Sequence, residues 1–132
     1  MKQISSKVSK TLIPGSVITC ADNTGARTLR IISKIGKGGA HRKLNSAGVG
    51  DIIMASVRSG SPQYMKKKVR AVVIRQKHPL RRRDGLRVRF EDNAAILITD
   101  NNLAVGTEVK GVMAREVIER YIKLAGVATR VV

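Results

Sequence analysis

The sequence predicts a mainly β fold, a small barrel or sandwich, followed by a short C-terminal helical region. Three observations carry that prediction. Short apolar stretches rich in β-branched residues recur between residues 17 and 98 with turn signals between them, the pattern of compact all-β domains. Nothing repeats at the roughly 20 to 50 residue period of a solenoid. Near the end the apolar spacing lengthens to three or four residues, which is the period of a helix. At 132 residues with 42% apolar content, the chain has the size and the core material for one domain over residues 1–132.

The elements follow in order. Strands are expected at Val17 to Cys20, Thr28 to Ile32, Ile52 to Val57, Val69 to Ile74, Val88 to Phe90 and Ala94 to Ile98. The turns between them use Asp22-Asn23-Thr24-Gly25, Asp84-Gly85 and Asp100-Asn101-Asn102, residues that tolerate positive φ or bond to their own backbone. Residues 1–100 are thus read as the β unit with basic loops, and residues 101–132 as a C-terminal region. In that region Val117, Ile118, Tyr121, Ile122 and Ala125 share the helical spacing, while Glu116 with Arg120 and Glu119 with Lys123 stand at i,i+4 on the other face. A helix over about 114–125, stopped near Gly126, is the expected result.

Charge says more about partners than about fold. Lysine and arginine number 26 against 9 acids, a formal net charge of +17. Residues 1–50 contribute +8, residues 51–63 cancel, residues 64–90 contribute +10 and residues 91–132 contribute −1. A surface so basic repels itself unless a polyanion supplies the balance, and nucleic acid is the default polyanion. No segment offers the roughly 20 apolar residues of a membrane span, and Met1 to Lys10 is polar and basic, unlike a signal segment. The lone Cys20 sits in the apolar run Val17 to Cys20; it reads as a small buried hydrophobe in a reduced, cytosolic protein.

The groups that catalysis would need are scarce. His41 and His78 both sit in basic sequence, and His78, next to Pro79, suits an extra phosphate donor better than a general base. The "GKGG" at 36–39 fails as a phosphate loop because Lys37 is followed by Gly38 rather than Ser or Thr. No cysteine and histidine spacing fits zinc and no acid pattern fits calcium. The expectation is a non-enzyme without metal, cofactor or small-molecule substrate.

The kind of nucleic-acid contact can be read further. Only Tyr64, Phe90 and Tyr121 are aromatic, too few for the stacking platforms of single-strand readers. In Arg87-Val88-Arg89-Phe90 the strand period of two turns Val88 and Phe90 inward and Arg87 and Arg89 outward. Contacts to phosphate and 2′-OH are therefore expected. Lys66, Lys67, Lys68, Arg70, Arg75, Lys77, Arg81, Arg82, Arg83, Arg87 and Arg89 form one expected set, with His78 beside them. Arg27, Arg30, Lys34, Lys37, Arg42 and Lys43 form a second, the last three in the glycine-rich stretch Gly36 to Gly50, a loop that would order on a polyanion. Arg115, Glu116, Glu119, Arg120 and Lys123, in the near-neutral end, are expected to meet a partner protein. Charge and spacing alone describe a basic β-barrel that binds an RNA backbone, and a free-standing regulator or chromatin protein would fit them too.

The hairpin region carries a more specific pattern. Ala71-Val72-Val73-Ile74, nine residues, Asp84-Gly85, four residues, Phe90, two residues, Asn93, two residues, then Ile96-Leu97 closely resembles the signature of the universal large-subunit ribosomal protein fourteen family. Ile96 replaces the usual Val, a conservative departure. "ADNTGARTLRI" at 21–31, "AGVGDIIMASV" at 47–57 and "GTEVKGVMARE" at 106–116 extend the resemblance over nearly the whole chain. The resemblance implies a five-stranded barrel with a small C-terminal helical region, and a structural place in the large subunit of the cytoplasmic ribosome. It implies binding to large-subunit ribosomal RNA, to small-subunit ribosomal RNA across the subunit interface, and to neighbouring large-subunit proteins. It also implies that the C-terminal part is offered to a subunit anti-association factor. The loop "KHPLRRRDG" and the residues before the first strand look closest to archaeal or eukaryotic members.

Overall fold

The computed structural model of the protein describes residues 3–36 and 45–132. Its centre is a closed barrel of five strands: β1 (Val17–Cys20), β2 (Ala26–Lys34), β3 (Ile52–Gly60), β4 (Lys68–Arg75) and β7 (Ala94–Leu97). Neighbours pair antiparallel except at the seam, where β1 runs parallel to β7 with Thr19 opposite Ala94 and Cys20 opposite Ala95. Closure there removes the free edges that an open sheet would present to other chains. β2 shifts register three times against β3, between Ala26 and Thr28, Thr28 and Leu29, and Ile31 and Ser33. Such irregularities bend and twist a strand, so a long one can wrap a small barrel.

Two apolar cores explain the burial pattern. The barrel interior is filled by Leu29, Ile31, Ile53, Ala55, Val57, Ala71, Val73, Ala95 and Leu97. In β3 burial alternates, as expected when one face meets the core and the other meets water. β4 and β7 behave differently. Ala71 through Arg75 and all of β7 are buried on both faces, because the C-terminal region lies over their outside. That second core joins Val72, Ile74 and Ile96 to Met113, Val117, Tyr121 and Leu124. The continuous apolar run "AVVI" thus marks a strand covered twice.

The hairpin leaves the barrel between β4 and β7 as β5 (Leu80–Arg81) and β6 (Arg87–Val88), with Leu80 opposite Val88 and Arg81 opposite Arg87. Asp84-Gly85 makes its turn as expected: Asp84 Oδ1 accepts from the Leu86 amide at 3.0 Å, and Gly85 takes φ of 90° at no steric cost. The C-terminal region holds β8 (Val112–Met113), α1 (Arg115–Arg120), a 3-10 helix over Ile122–Val127 and β9 (Arg130–Val131), which pairs parallel with β8.

The single helix expected over 114–125 is instead two short ones, broken at Tyr121 with φ −129° and ψ 82°. With three residues per turn after the break, Leu124 follows Tyr121 onto the buried side and Ile122 rotates outward to 67% exposure. The expected i,i+4 ion pairs do not form either. Glu116 turns inward to Arg82 and Arg120 reaches Asp51, since buried carboxylates hold cations more tightly than solvated ones do.

Candidate nucleic-acid interface

The barrel brings cations that are distant in sequence onto one surface. Arg30 of β2 lies opposite Ser56 of β3, and Ser56 lies opposite Lys68 of β4. Paired residues share a face, so exposed Arg30 and Lys68 stand in one outer row about 10 Å apart, two strand spacings of about 4.8 Å. The tight β3–β4 connection presents exposed Lys66 and Lys67, and Lys66 takes φ of 59°, unusual for a side-chain-bearing residue. Backbone bonds of 3.1 Å from Lys66 N to Val57 O and from Val57 N to Lys67 O hold it there. Exposed Arg27 lines a polar recess with Asn23, Ser59, Ser61 and Lys110.

The hairpin collects the densest exposed charge. Lys77, His78, Arg81, Arg83, Arg87 and Arg89 are all exposed, while Phe90 is buried and Val88 half-buried, which matches the alternation expected of that strand. Arg89 opens on a recess with Lys77, Arg87 on a different one with Arg81. Lys7 joins the second group, because it exchanges backbone bonds with Arg81 at 2.8 and 3.0 Å and so adds a third strand segment to the hairpin. Lys7 was missing from the expected sites, and its only sequence signal is membership of a basic N-terminal segment. Lys66 to Lys68 and Arg81 to Arg83 lie at opposite ends of β4, a strand about 25 Å long. Lys37, Arg42 and Lys43, with the rest of the loop over 37–44, lie outside the described residues.

Several expected phosphate contacts turn out to be internal ties. Arg75 is buried at 8% exposure. Its guanidinium donates to both Asp92 carboxylate oxygens at 2.9 and 3.1 Å and to the Lys110 and Val112 carbonyls at 3.0 and 2.8 Å. That geometry binds β4 to the C-terminal region and commits four of the five guanidinium N–H donors to the fold. Gly111 makes room for it, because a Cβ there would stand 2.6 Å from Arg75 Nη1. Arg82, with 10% of its side chain exposed, donates from Nε to Glu116 Oε1 at 3.0 Å and from Nη2 to the Val132 carbonyl at 2.6 Å. Lys34 lies 3.6 Å from the buried Asp51, which also holds Lys10 at 2.7 Å and Arg120 at 3.1 Å. Arg70 is half-buried beside Asp100 and Asn102. Sequence distance hid these ties: each acid lies far along the chain from its cation, or pairs with it only across the barrel wall.

The residues expected to meet a partner protein divide in the same way. Glu116, 1% exposed, and Arg120, bonded to Asp51 and the Gly50 carbonyl, are structural, a correction that follows from the burial of the first and the internal ties of the second. Burial works against the charge of Glu116, but hydrogen bonds from Ser6 and Arg82 outweigh it and hold its pKa below the ordinary value of 4.5. Glu119 accepts from the Ser5 hydroxyl at 3.4 Å. Arg115 and Lys123 are exposed, and Lys123 borders a recess with Ile52, Asn102, Tyr121 and Ile122.

The remaining candidates for reactivity are quiet. Cys20 is buried and its thiol donates to Asp22 Oδ1 at 3.2 Å; burial, reinforced by that carboxylate, pushes its pKa up to about 12. A thiol so reluctant to ionise is a poor nucleophile. Among the described residues no helix is long and apolar enough to cross a membrane.

Comparison with known proteins gives this architecture a lineage. A family model described as ribosomal protein L14p/L23e matches residues 11–132. The chain is 50% identical over 132 residues to the large ribosomal subunit protein uL14 of Methanoregula boonei, covering all of both chains. It is 48% identical, over the same full extent, to the proteins of that name from Halobacterium salinarum and Thermoplasma acidophilum. These relatives are archaeal, in keeping with the character of the basic loop and the N-terminal segment. With matched spacing in the hairpin, a closed five-stranded barrel and identity along its whole length, the chain belongs to the ribosomal protein L14p/L23e family.

Proposed function

We propose that this protein binds large-subunit ribosomal RNA through the exposed cations of its barrel wall and hairpin, and faces the small subunit across the interface. Its family consists of structural ribosomal proteins rather than enzymes, and the chain is a structural ribosomal constituent. The observation that supports the RNA reading most directly is the partition of arginine and lysine. Arg75 is buried, Arg82 and Arg120 are largely covered, and all three are matched to acids, whereas Arg27, Arg30, Lys66, Lys67, Lys68, Lys77, Arg81, Arg83, Arg87 and Arg89 are exposed, and among the described residues no ion pair to an acid forms at any of them. Cations left in excess on a folded surface await a polyanion, and with Phe90 and Tyr121 buried and Tyr64 half-buried against a core, backbone contacts are the mode.

Neighbouring large-subunit proteins and an anti-association factor are the protein partners in this reading, with exposed Arg115, Ile122 and Lys123 as their contact surface. Co-sedimentation of the endogenous protein with the large subunit in high salt is the test. Release as a free protein would favour an independent regulator instead. Binding to deproteinised large-subunit ribosomal RNA should weaken by about a thousand-fold or more between 50 and 200 mM salt if about six phosphates are neutralised.

A further inference from the structure

We propose that Lys7, Arg81 and Arg87 form a built seat for a phosphate group, an inference that rests on the RNA-binding reading above. Lys7 is the direct neighbour of Arg81, and Arg81 of Arg87, on three adjacent strand segments, so the three side chains share one face. Directly paired residues of this kind lie about 5 Å apart, and like charges placed so are destabilising. The fold nevertheless fixes them there. The backbone exchange between Lys7 and Arg81 is closed at 2.8 and 3.0 Å, and Ser6 and Arg82, the next residues along each segment, point to the opposite side.

On that opposite side both donate to one buried carboxylate: Ser6 Oγ to Glu116 Oε1 at 2.7 Å and Arg82 Nε to the same oxygen at 3.0 Å. Glu116 therefore pins the two segments from beneath and holds Lys7 and Arg81 together on top. The recess they border, about 340 Å³, is lined also by Ser9 and His78 and contains no acid. A cation row held against its own repulsion, with Ser9 and His78 at its rim, is complementary to a phosphate oxygen cluster. An RNA phosphodiester and a small free phosphate both carry that chemistry.

The test compares the full-length protein with Lys7→Ala, Arg81→Ala and Lys123→Ala in filter binding to deproteinised large-subunit ribosomal RNA across a salt series, with titration calorimetry against pyrophosphate as a second arm. Thermal unfolding confirms that each variant is folded. Lys7→Ala and Arg81→Ala are expected to lower affinity several-fold and to flatten the salt slope by about 0.7 to 0.9 each, with Lys123→Ala unchanged. Pyrophosphate binding that is lost in Lys7→Ala, with RNA slopes unchanged, would retain the seat and assign it to a small anion. Slopes and pyrophosphate binding that both match the wild type would overturn the seat. Wild-type RNA binding that is absent or indifferent to salt would instead overturn the RNA reading itself.

Discussion

Arg81 and Arg82 are chain neighbours of the same residue type, yet they work on opposite sides of the hairpin. Arg81 is exposed and stands among other cations; Arg82 is mostly covered and donates to Glu116 and the Val132 carbonyl. The strand period of two separates them, and the acid that the fold brings beneath one side decides which arginine becomes structural. A triplet of arginines is therefore a poor unit of function. From charge alone, Arg81, Arg82 and Arg83 would act together, and replacing all three would weaken RNA binding and leave the fold intact. The structure separates Arg82, whose loss must also be felt in stability.

The largest expected effect comes from breaking the buried side. Glu116→Ala leaves the largely covered Arg82 without its carboxylate, though still bonded to the Val132 carbonyl, and strands the Ser6 hydroxyl, and should cost about 3 kcal/mol in urea unfolding. Glu116→Gln, which keeps an acceptor, should cost clearly less. A Glu116→Ala protein as stable as wild type would show that the pair contributes nothing to folding.

Next comes the tie between β4 and the C-terminal region. Gly111→Ala places a Cβ 2.6 Å from Arg75 Nη1 at a residue with φ of 83°, and a loss of about 1 to 3 kcal/mol is expected. Denaturation midpoints would measure it, and the exposed Gly85, with nothing within 4 Å of an added Cβ, is the control for backbone conformation alone.

Acid sharpens the same comparison without mutation. The folded-state pKa of Glu116 lies below its ordinary value of 4.5, so the stability it contributes is fully present above that value. It is lost as pH falls below 4.5 through the depressed folded value. Urea midpoints measured from pH 6 down to 3 should decline at the acid end, and Glu116→Gln should flatten that decline relative to wild type.

The smallest change in stability belongs to the exposed side. Arg83→Ala should alter stability by no more than about 0.5 kcal/mol, since that side chain is exposed and carries no ion pair among the described residues. Its effect is expected in RNA binding, as a salt slope flatter by about 0.7 to 0.9. An equal loss of stability in Arg83→Ala and Arg82→Ala would erase the contrast between the two sides.

Much of the fold was legible because strands and turns are local. β1 lies at the expected Val17 to Cys20, the Asp84-Gly85 turn forms through its own Asx bond, and Val88 and Phe90 turn away from Arg87 and Arg89. The helix beyond residue 114 was less legible, since the break at Tyr121 answers to packing against the outer barrel wall rather than to the spacing of apolar residues. Of the site, exposed Lys66 to Lys68, Lys77, Arg81, Arg83, Arg87 and Arg89 lie where a basic surface was expected. Arg75, Arg82, Glu116 and Arg120 do not, because burial and a distant partner govern them.

By itself the sequence determined a basic, mainly β chain of this family, with its charge gathered before residue 91 and its turns written in Asp, Asn and Gly. Only the tertiary structure decided which cations are free to act. A Coulomb partner is chosen by distance in space, within a few ångströms and in a medium that burial makes less polar. Ser6, Arg82 and Glu116, or Lys10, Lys34, Arg120 and Asp51, become neighbours only once the barrel has closed and the C-terminal region has covered it.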